Sequence, residues 1–402
     1  MPVMPRLNKH LLSVLVAFLA FMDPMLIRAE PGKGDGVAEL KQWRVAVKSA
    51  VAPNQSRHSF HAYFNTSPES PDGKHVLYYT SGAADGETGD LRVLERATGR
   101  ESIIARDIRT EDAHRAACQQ WSGGGTQVLY HNLTDGRWSV HAVDIATGRD
   151  RVLAQDRQLG FGSATGRWAP VYGCHWNPGE YRNLELIDVI SGQTIVAVTA
   201  AETVAHYGEW IEQKLGSRDL TIFFPVMSPD ESKVFFKPCV PGGGQTFRGM
   251  SVSKREGKVI YDLRQRKFIG LIEQWGHPSW SPDSVAIFEK GNFLQDPATK
   301  KKRPPFSPSC FSDHPTLAPD GKLFVTDADV SKRPFGRPGA WAIGVGSTYS
   351  DEFVVVDLFD NIHGAKSWRH NHPHPAFSAD GKRIYYNVND GPWTRLMVAE
   401  RR

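Results

Sequence analysis

Three observations together predict an all-β chain, a seven-bladed β-propeller of four-stranded antiparallel blades: a recurring phrase, His-Pro-x-aromatic/apolar-Ser/Ala-x-Asp-Gly; a β-rich hairpin after each copy; and loose blade-length spacing between copies. The phrase is fullest as HPSWSPDS from His277, HPTLAPDG from His314 and HPAFSADG from His374. Shorter or degenerate copies centre on Asp72 in SPESPDGKHVLYY, Gly124 in WSGGGTQVLYH, Thr165 in GSATGRWAPVYG and Asp230 in VMSPDESKVFF.

Each unit reads as an apolar strand, a turn of the Pro-Asp-Gly type, and an alternating strand such as HVLYY, KVFF, KLFVT or RIYYN. A second hairpin follows in several units, turning at RATGR, IATGR and ISGQ, where small polar residues and glycine supply the positive φ such turns need. Residues 200–215 break the alternation and predict a helical insertion. The last unit is short, and the segment from Trp43 to Val51 is expected to lend it a strand and close the ring.

The 402-residue chain carries 48 Lys and Arg against 44 Asp and Glu, a net charge of +4. So balanced a chain argues against nucleic-acid binding. Arg6 and Lys9, the apolar run Leu11 to Met22 and the small residue Ala29 make residues 1–29 a secretory signal, with an uncleaved anchor as the alternative. Cleavage would leave residues 30–402 as a single propeller domain in the periplasm or outside the cell, with no stable membrane insertion. Because a closed propeller has no sheet edge seeking a partner, a monomer is expected. Cys118, Cys174, Cys239 and Cys310 allow three disulfide pairings, and spacing selects none.

The repeat phase aligns the residues six before the Asp of each phrase: Thr66, Cys118, Leu159, Phe224, His277, His314 and His374. The first strand of a blade lines the channel, so these residues should ring one mouth, joined by Asn292, Asp329 and Asn389 from the second strands. His372, two residues before His374, should share its strand face. Several imidazoles at equivalent positions suit a transition metal with open coordination. Taken singly, each His-Pro also serves simply to start a strand. The acidic pair Asp327 and Asp329 offers a hydrolase, though both sit on one strand.

The C-terminal run HPHPAFSADGKRIYYNVNDG from His372, with GHPSW from Gly276 and DHPTLAPDGKLFVTD from Asp313, resembles the oligogalacturonate lyases. These are seven-bladed propellers related in repeat style to the TolB-type periplasmic propellers. Repeat-level similarity spans most of the chain, and the specific motifs its last third. The resemblance implies a divalent metal, manganese, held by His314, His372 and His374 with a Gln three residues before His372. Arg369 stands at that Gln position, and a guanidinium is no metal ligand, which leaves His370 or water for the fourth place. It further implies β-elimination on an acidic oligosaccharide, with His277 as base and an arginine of the preceding blade, Arg248 or alternatively Arg255, answering the developing charge. Arg369 could instead bind a substrate carboxylate. The alternative is a non-catalytic exported propeller that binds a protein or glycan through the same mouth, so the sequence leaves open whether the chain is an enzyme.

Overall fold

The recurring phrase folds because its serine and aspartate close the turn between the first two strands of a blade. The Ser70, Ser228, Ser281 and Ser378 hydroxyls donate to Asp72, Asp230, Asp283 and Asp380 at 2.6 to 2.8 Å. The backbone N–H five residues after each serine donates back to the same hydroxyl, from His75, Lys233, Ala286 and Arg383. The residue after the aspartate must turn into the left-handed region. Gly73, Gly321 and Gly381 do so at φ 68° to 73°. Glu231 and Ser284 adopt the same conformation at φ 56° and 61°, and each bonds a neighbouring blade: Trp168 N–H donates to the Glu231 carboxylate and Asp230 N–H to the Ser284 hydroxyl.

The computed structural model describes residues 39–402 except 45, 52–55, 245–247, 249–251, 310, 335 and 390. The proposed signal at 1–29 lies outside these. Seven antiparallel sheets follow one another along the chain, at 58–109, 120–155, 157–198, 221–272, 279–295, 316–360 and 376–400, hereafter blades 1 to 7. In blades 1 to 6 the hydrogen-bonded order follows the chain, except that blade 4 carries an extra short strand, Ser253–Arg255, paired with Lys233–Pro241 off the main path. Blade 5 has three described strands, and an isolated bridge from Gln295 to Lys302 stands where a fourth would pair.

The ring closes as expected. The strand Lys48–Ser49 pairs with Arg395–Glu400 and becomes the fourth strand of blade 7. On the blade 1 side, Glu69 is almost fully buried and accepts from Arg383 Nε and Nη2 at 2.7 and 2.8 Å and from the Tyr385 hydroxyl. Trp121 and Trp280, at matching places in blades 2 and 5, each donate an indole N–H to a carbonyl of the preceding blade, Pro68 and Val226. The helical insertion is α1 (Ala200–Leu215), opened by a Thr199/Glu202 capping box and ended by left-handed Gly216. Among the described residues no helix is long and apolar enough to cross a membrane.

One segment departs from the repeat. Phe60 pairs with Tyr79, and Leu77 next donates to Pro68, so residues 61–67 leave the first strand of blade 1. Asn387 of blade 7 holds the excursion, its side chain accepting from His61 N–H and donating to His61 O. Tyr63 and Phe64 are thereby buried with Cys118, Leu159, Phe161 and Phe224, filling the channel. Thr66 consequently falls outside the expected ring and lines a cavity of about 390 Å³ at the turn end of the channel. Cys118, Cys174 and Cys239 are free thiols; Cys310 lies outside the described residues.

Candidate metal centre

Blades 5, 6 and 7 bring their His-Pro phrases to one mouth. The imidazole of His314 lies 4.5 Å from that of His374 and 5.4 Å from that of His372, and the last two are 5.8 Å apart, centre to centre. His277 stacks on His314 at 4.3 Å. The expected convergence of His372 and His374 is present, but strand alternation is not its cause. The strand of blade 7 starts at Ala376, and His374 sits at φ 49°, a left-handed conformation that turns its ring under the mouth. A non-glycine residue held there stores strain, as is common at functional sites.

A histidine that the phrase did not predict completes the group. His114, in the segment before blade 2, stands 4.8 Å from His372 and 4.7 Å from His374, and donor nitrogens of these three lie within 4.8 Å of one another. His114 Nδ1 lies 2.9 Å from the His370 carbonyl, so it carries the proton and leaves Nε2 a lone pair. This contact also explains the position of His370: its carbonyl orients His114, and its own ring meets the Asn361 carbonyl at 2.7 Å.

Asp327 does the corresponding work for His314. Fully buried, its carboxylate lies 3.0 Å from His314 Nδ1 and accepts the backbone N–H groups of His314 and His374 at 2.9 and 3.1 Å. Asp329 is exposed and caps Ser331, so the paired-carboxylate arrangement is absent from this strand. Asn292 and Asn389 are buried and bond loop carbonyls.

The donor set fits a transition metal. His314 Nε2, His372 Nδ1 and both ring nitrogens of His374 are buried without a hydrogen-bond partner. Burial, and then the neighbouring imidazoles, push His372 down to about 3 and His374 well below the usual range, while burial, and then the Arg369 charge, do the same to His114. Burial also brings His314 down to about 4, against the pull of Asp313. All are neutral at ordinary pH, the state in which imidazole binds a metal. Tyr63, 4.4 Å from His374, and Phe64, 5.1 Å from His314, give the group an apolar floor.

A second cluster, His277, Asp313 and His314, is an ionic one. Lys290 holds Asp313 Oδ1 at 2.6 Å, and His314 Nδ1 is turned to Asp327. His277 Nδ1 meets the Asp313 carbonyl at 3.1 Å and its carboxylate at 3.3 Å, which frees Nε2. Burial would raise the Asp313 carboxyl, but His277, His314 and Lys290 outweigh it and keep the group ionised.

The expected arginines lie farther out. Arg369 donates to buried Asp112 at 3.2 Å, and its charge adds to the depression of His114. Arg248 is exposed and pairs with Glu87 at 2.5 Å, whose other oxygen accepts from Ser367. Arg255 is set deeper in blade 4, its guanidinium 4.7 Å over the Phe223 ring and 3.4 Å from His175 Nδ1.

His114, Asp313 and Asp327 carry weak sequence signals. Unit 2 lost its Asp-Gly turn, so the register that would align His114 with the mouth is missing. Asp327, a candidate only as half of an acidic pair, lies one strand away from the phrase, whereas Asp313 directly precedes His314.

Solved structures share this architecture. An oligogalacturonate lyase in complex with manganese matches with a TM-score of 0.59 at 17% identity, over 89% of this chain and 96% of that one. The oligogalacturonate lyase of Vibrio parahaemolyticus matches at 0.56 and 14% identity, over 89% and 96%. The β-propeller domain of Cps50 from Myceliophteria thermophila matches at 0.52 and 10% identity, over 88% and 99%. No protein-family model and no curated protein matches the sequence. At such identities the likeness is one of fold.

Proposed function

We propose that the protein is an exported, metal-dependent lyase that cleaves uronic-acid oligosaccharides by β-elimination. The observation that carries this reading is the set of buried, neutral imidazoles with unpartnered nitrogens at one mouth of a propeller whose solved neighbours include oligogalacturonate lyases. His114, His372 and His374 would hold the metal, with His314 beside His374 at 4.5 Å between ring centres as the fourth ligand, and manganese is the ion suggested by the neighbour's complex. Such an ion supplies Lewis acidity toward the substrate carboxylate, making the hydrogen on the adjoining carbon more acidic.

The chain's own part in the chemistry is proton transfer. His277 has the geometry of a general base: Nδ1–H is fixed by Asp313, Nε2 is free, and a quarter of the side chain is exposed where His314 is wholly buried. Burial pushes it down to about 4, so it is neutral and ready to accept a proton, and the Asp313 carboxylate stabilises the imidazolium that results. Arg369 and Arg248 would meet substrate carboxylates at the rim, Arg369 with the part of its guanidinium turned away from Asp112. The apolar floor of Tyr63 and Phe64 keeps bulk water from the buried side of the histidines.

The test joins elemental analysis with an assay of unsaturated products on oligogalacturonates. Stoichiometric metal after incubation with manganese, lost in a His372→Ala/His374→Ala variant, with ultraviolet-absorbing product formed only by the wild type, is the expected result. Failure of the wild type to retain metal would leave a propeller that binds its ligand without catalysis.

A further inference from the structure

Two cations in blade 4, Lys237 buried and Arg255 half-buried, have no carboxylate to match them. Lys237 is 3% exposed, yet its ammonium donates only to the Gly276 carbonyl, at 3.0 Å, and lies 3.3 Å from the centre of the Trp275 ring. Arg255 lies over Phe223 and 5.8 Å from Trp275. Among the described residues neither forms an ion pair. The nearby Lys258 does, with Glu289 at 2.6 Å, so that carboxylate is already taken.

Burying an ammonium is costly when no anion or full set of acceptors replaces water. A cation–π contact offsets only part of that cost. Burial, with Lys258 and Arg255 adding to it, pushes the Lys237 ammonium well below the usual lysine range. The imbalance is open to solvent at Arg255: it and Trp275, the latter 40% exposed, line a groove of about 860 Å³ whose other charged residues are Lys214, Lys254, Glu256 and Glu273, none of them paired with Arg255 or Lys237, and Lys237 lies beneath Trp275. Gly276, the acceptor of Lys237, immediately precedes His277. The site therefore lies on the blade 4 side of the proposed base, with the other histidines on blades 6 and 7 and before blade 2.

We propose that Lys237 and Arg255, with Trp275 as a sugar-sized platform, form a carboxylate subsite separate from the histidine group. It takes a second acidic unit of the saccharide, one step along the chain from the unit whose carboxylate meets the histidines. The proposal rests on the uronate reading. A bound carboxylate supplies the missing counter-charge, and the exposed indole face packs against the sugar ring.

The test is calorimetric titration of the full chain in chelator, with galacturonic acid as the probe, since it has no glycosidic bond to break, and galactose as the neutral control. The wild type is expected to bind the acid and not the neutral sugar. Lys237→Met and Arg255→Gln should each weaken binding at least about ten-fold, as loss of a charge-assisted bond predicts. Arg255 is half-buried, so its variant reports even where Lys237→Met fails to fold. Unchanged affinity in a folded variant overturns the subsite, as does a wild type that binds no acid. The lyase reading fails separately: acid binding lost in the variants, with no unsaturated product from manganese-loaded wild type, keeps the subsite and removes the catalysis. Product formation with undiminished binding in the variants does the reverse.

Discussion

Replacing Asp327 by asparagine probes the proposed centre without touching a metal ligand. Both carboxylate oxygens accept a backbone N–H, one from His314 and the other from His374, and both lie 3.0 Å from His314 Nδ1. Whichever way the amide is turned, its NH2 group therefore faces a backbone donor. One buried hydrogen bond is lost, at a cost of about 1–3 kcal/mol. The amide can also donate to Nδ1, which moves the imidazole proton to Nε2 and removes the lone pair offered to a metal. Loss of such an outer partner lowers metal affinity about 10- to 100-fold. Manganese titration by calorimetry, with thermal unfolding measured with and without the ion, separates the two effects. The expected outcome is a folded protein whose melting temperature falls modestly without metal and gains far less from manganese than the wild type's. Wild-type manganese affinity in Asp327→Asn would refute the view that Asp327 sets the His314 tautomer.

Two further outcomes concern the scaffold. Glu69→Gln should destabilise the ring closure by about 3 kcal/mol, the low end for breaking a buried pair because Arg383 keeps Asp380 and Glu400; urea denaturation measures it, and a loss under 1 kcal/mol would show the closure to rest on apolar contacts instead. His131 is buried and pushed down to about 3, chiefly by burial and then by the Arg115 charge, so it is neutral when folded and takes up a proton on unfolding below about 6.5. Its stabilising contribution is complete above that pH and is lost as pH falls toward the folded value, by up to about 1.4 kcal/mol per pH unit. His131→Asn keeps an acceptor for the Leu159 N–H and should flatten the acid side of a stability–pH curve while leaving neutral stability nearly unchanged.

The propeller was legible because its turn chemistry is written into the sequence. Ser-x-Asp-Gly is a set of hydrogen bonds as much as a motif, so seven imperfect copies announce seven equivalent hairpins. Where another residue stands in for the glycine, as at Ser284, the turn bonds persist and the new side chain bonds the neighbouring blade. The helix at 200–215 was legible because its apolar residues break strand alternation, and the borrowed strand because the last unit is one strand short. The site was legible only in part. Repeat phase brought His277, His314 and His374 together, but it could not show His114, whose unit had lost its turn. Nor could it show the excursion at 61–67, because a segment leaving the strand for the channel keeps ordinary apolar composition.

That excursion decides how the site can be reached. A propeller channel left open would expose the histidines from both ends, and a ligand could thread through. Here Tyr63 and Phe64 close the turn side, and His314 and His374 are completely buried, so the group is approached from one mouth only. The exposed edges of the cluster are His372, with 29% of its side chain accessible, and His277, with 25%. On the proposed lyase reading, a reacting group is presented between these two, with its carboxylate toward the buried imidazoles and its hydrogen toward His277. On the same reading, an oligosaccharide so placed could not continue downward and would run along the rim. The blade 4 side of His277, where Lys237 and Arg255 lack an anion, is a direction in which its next acidic unit meets uncompensated positive charge.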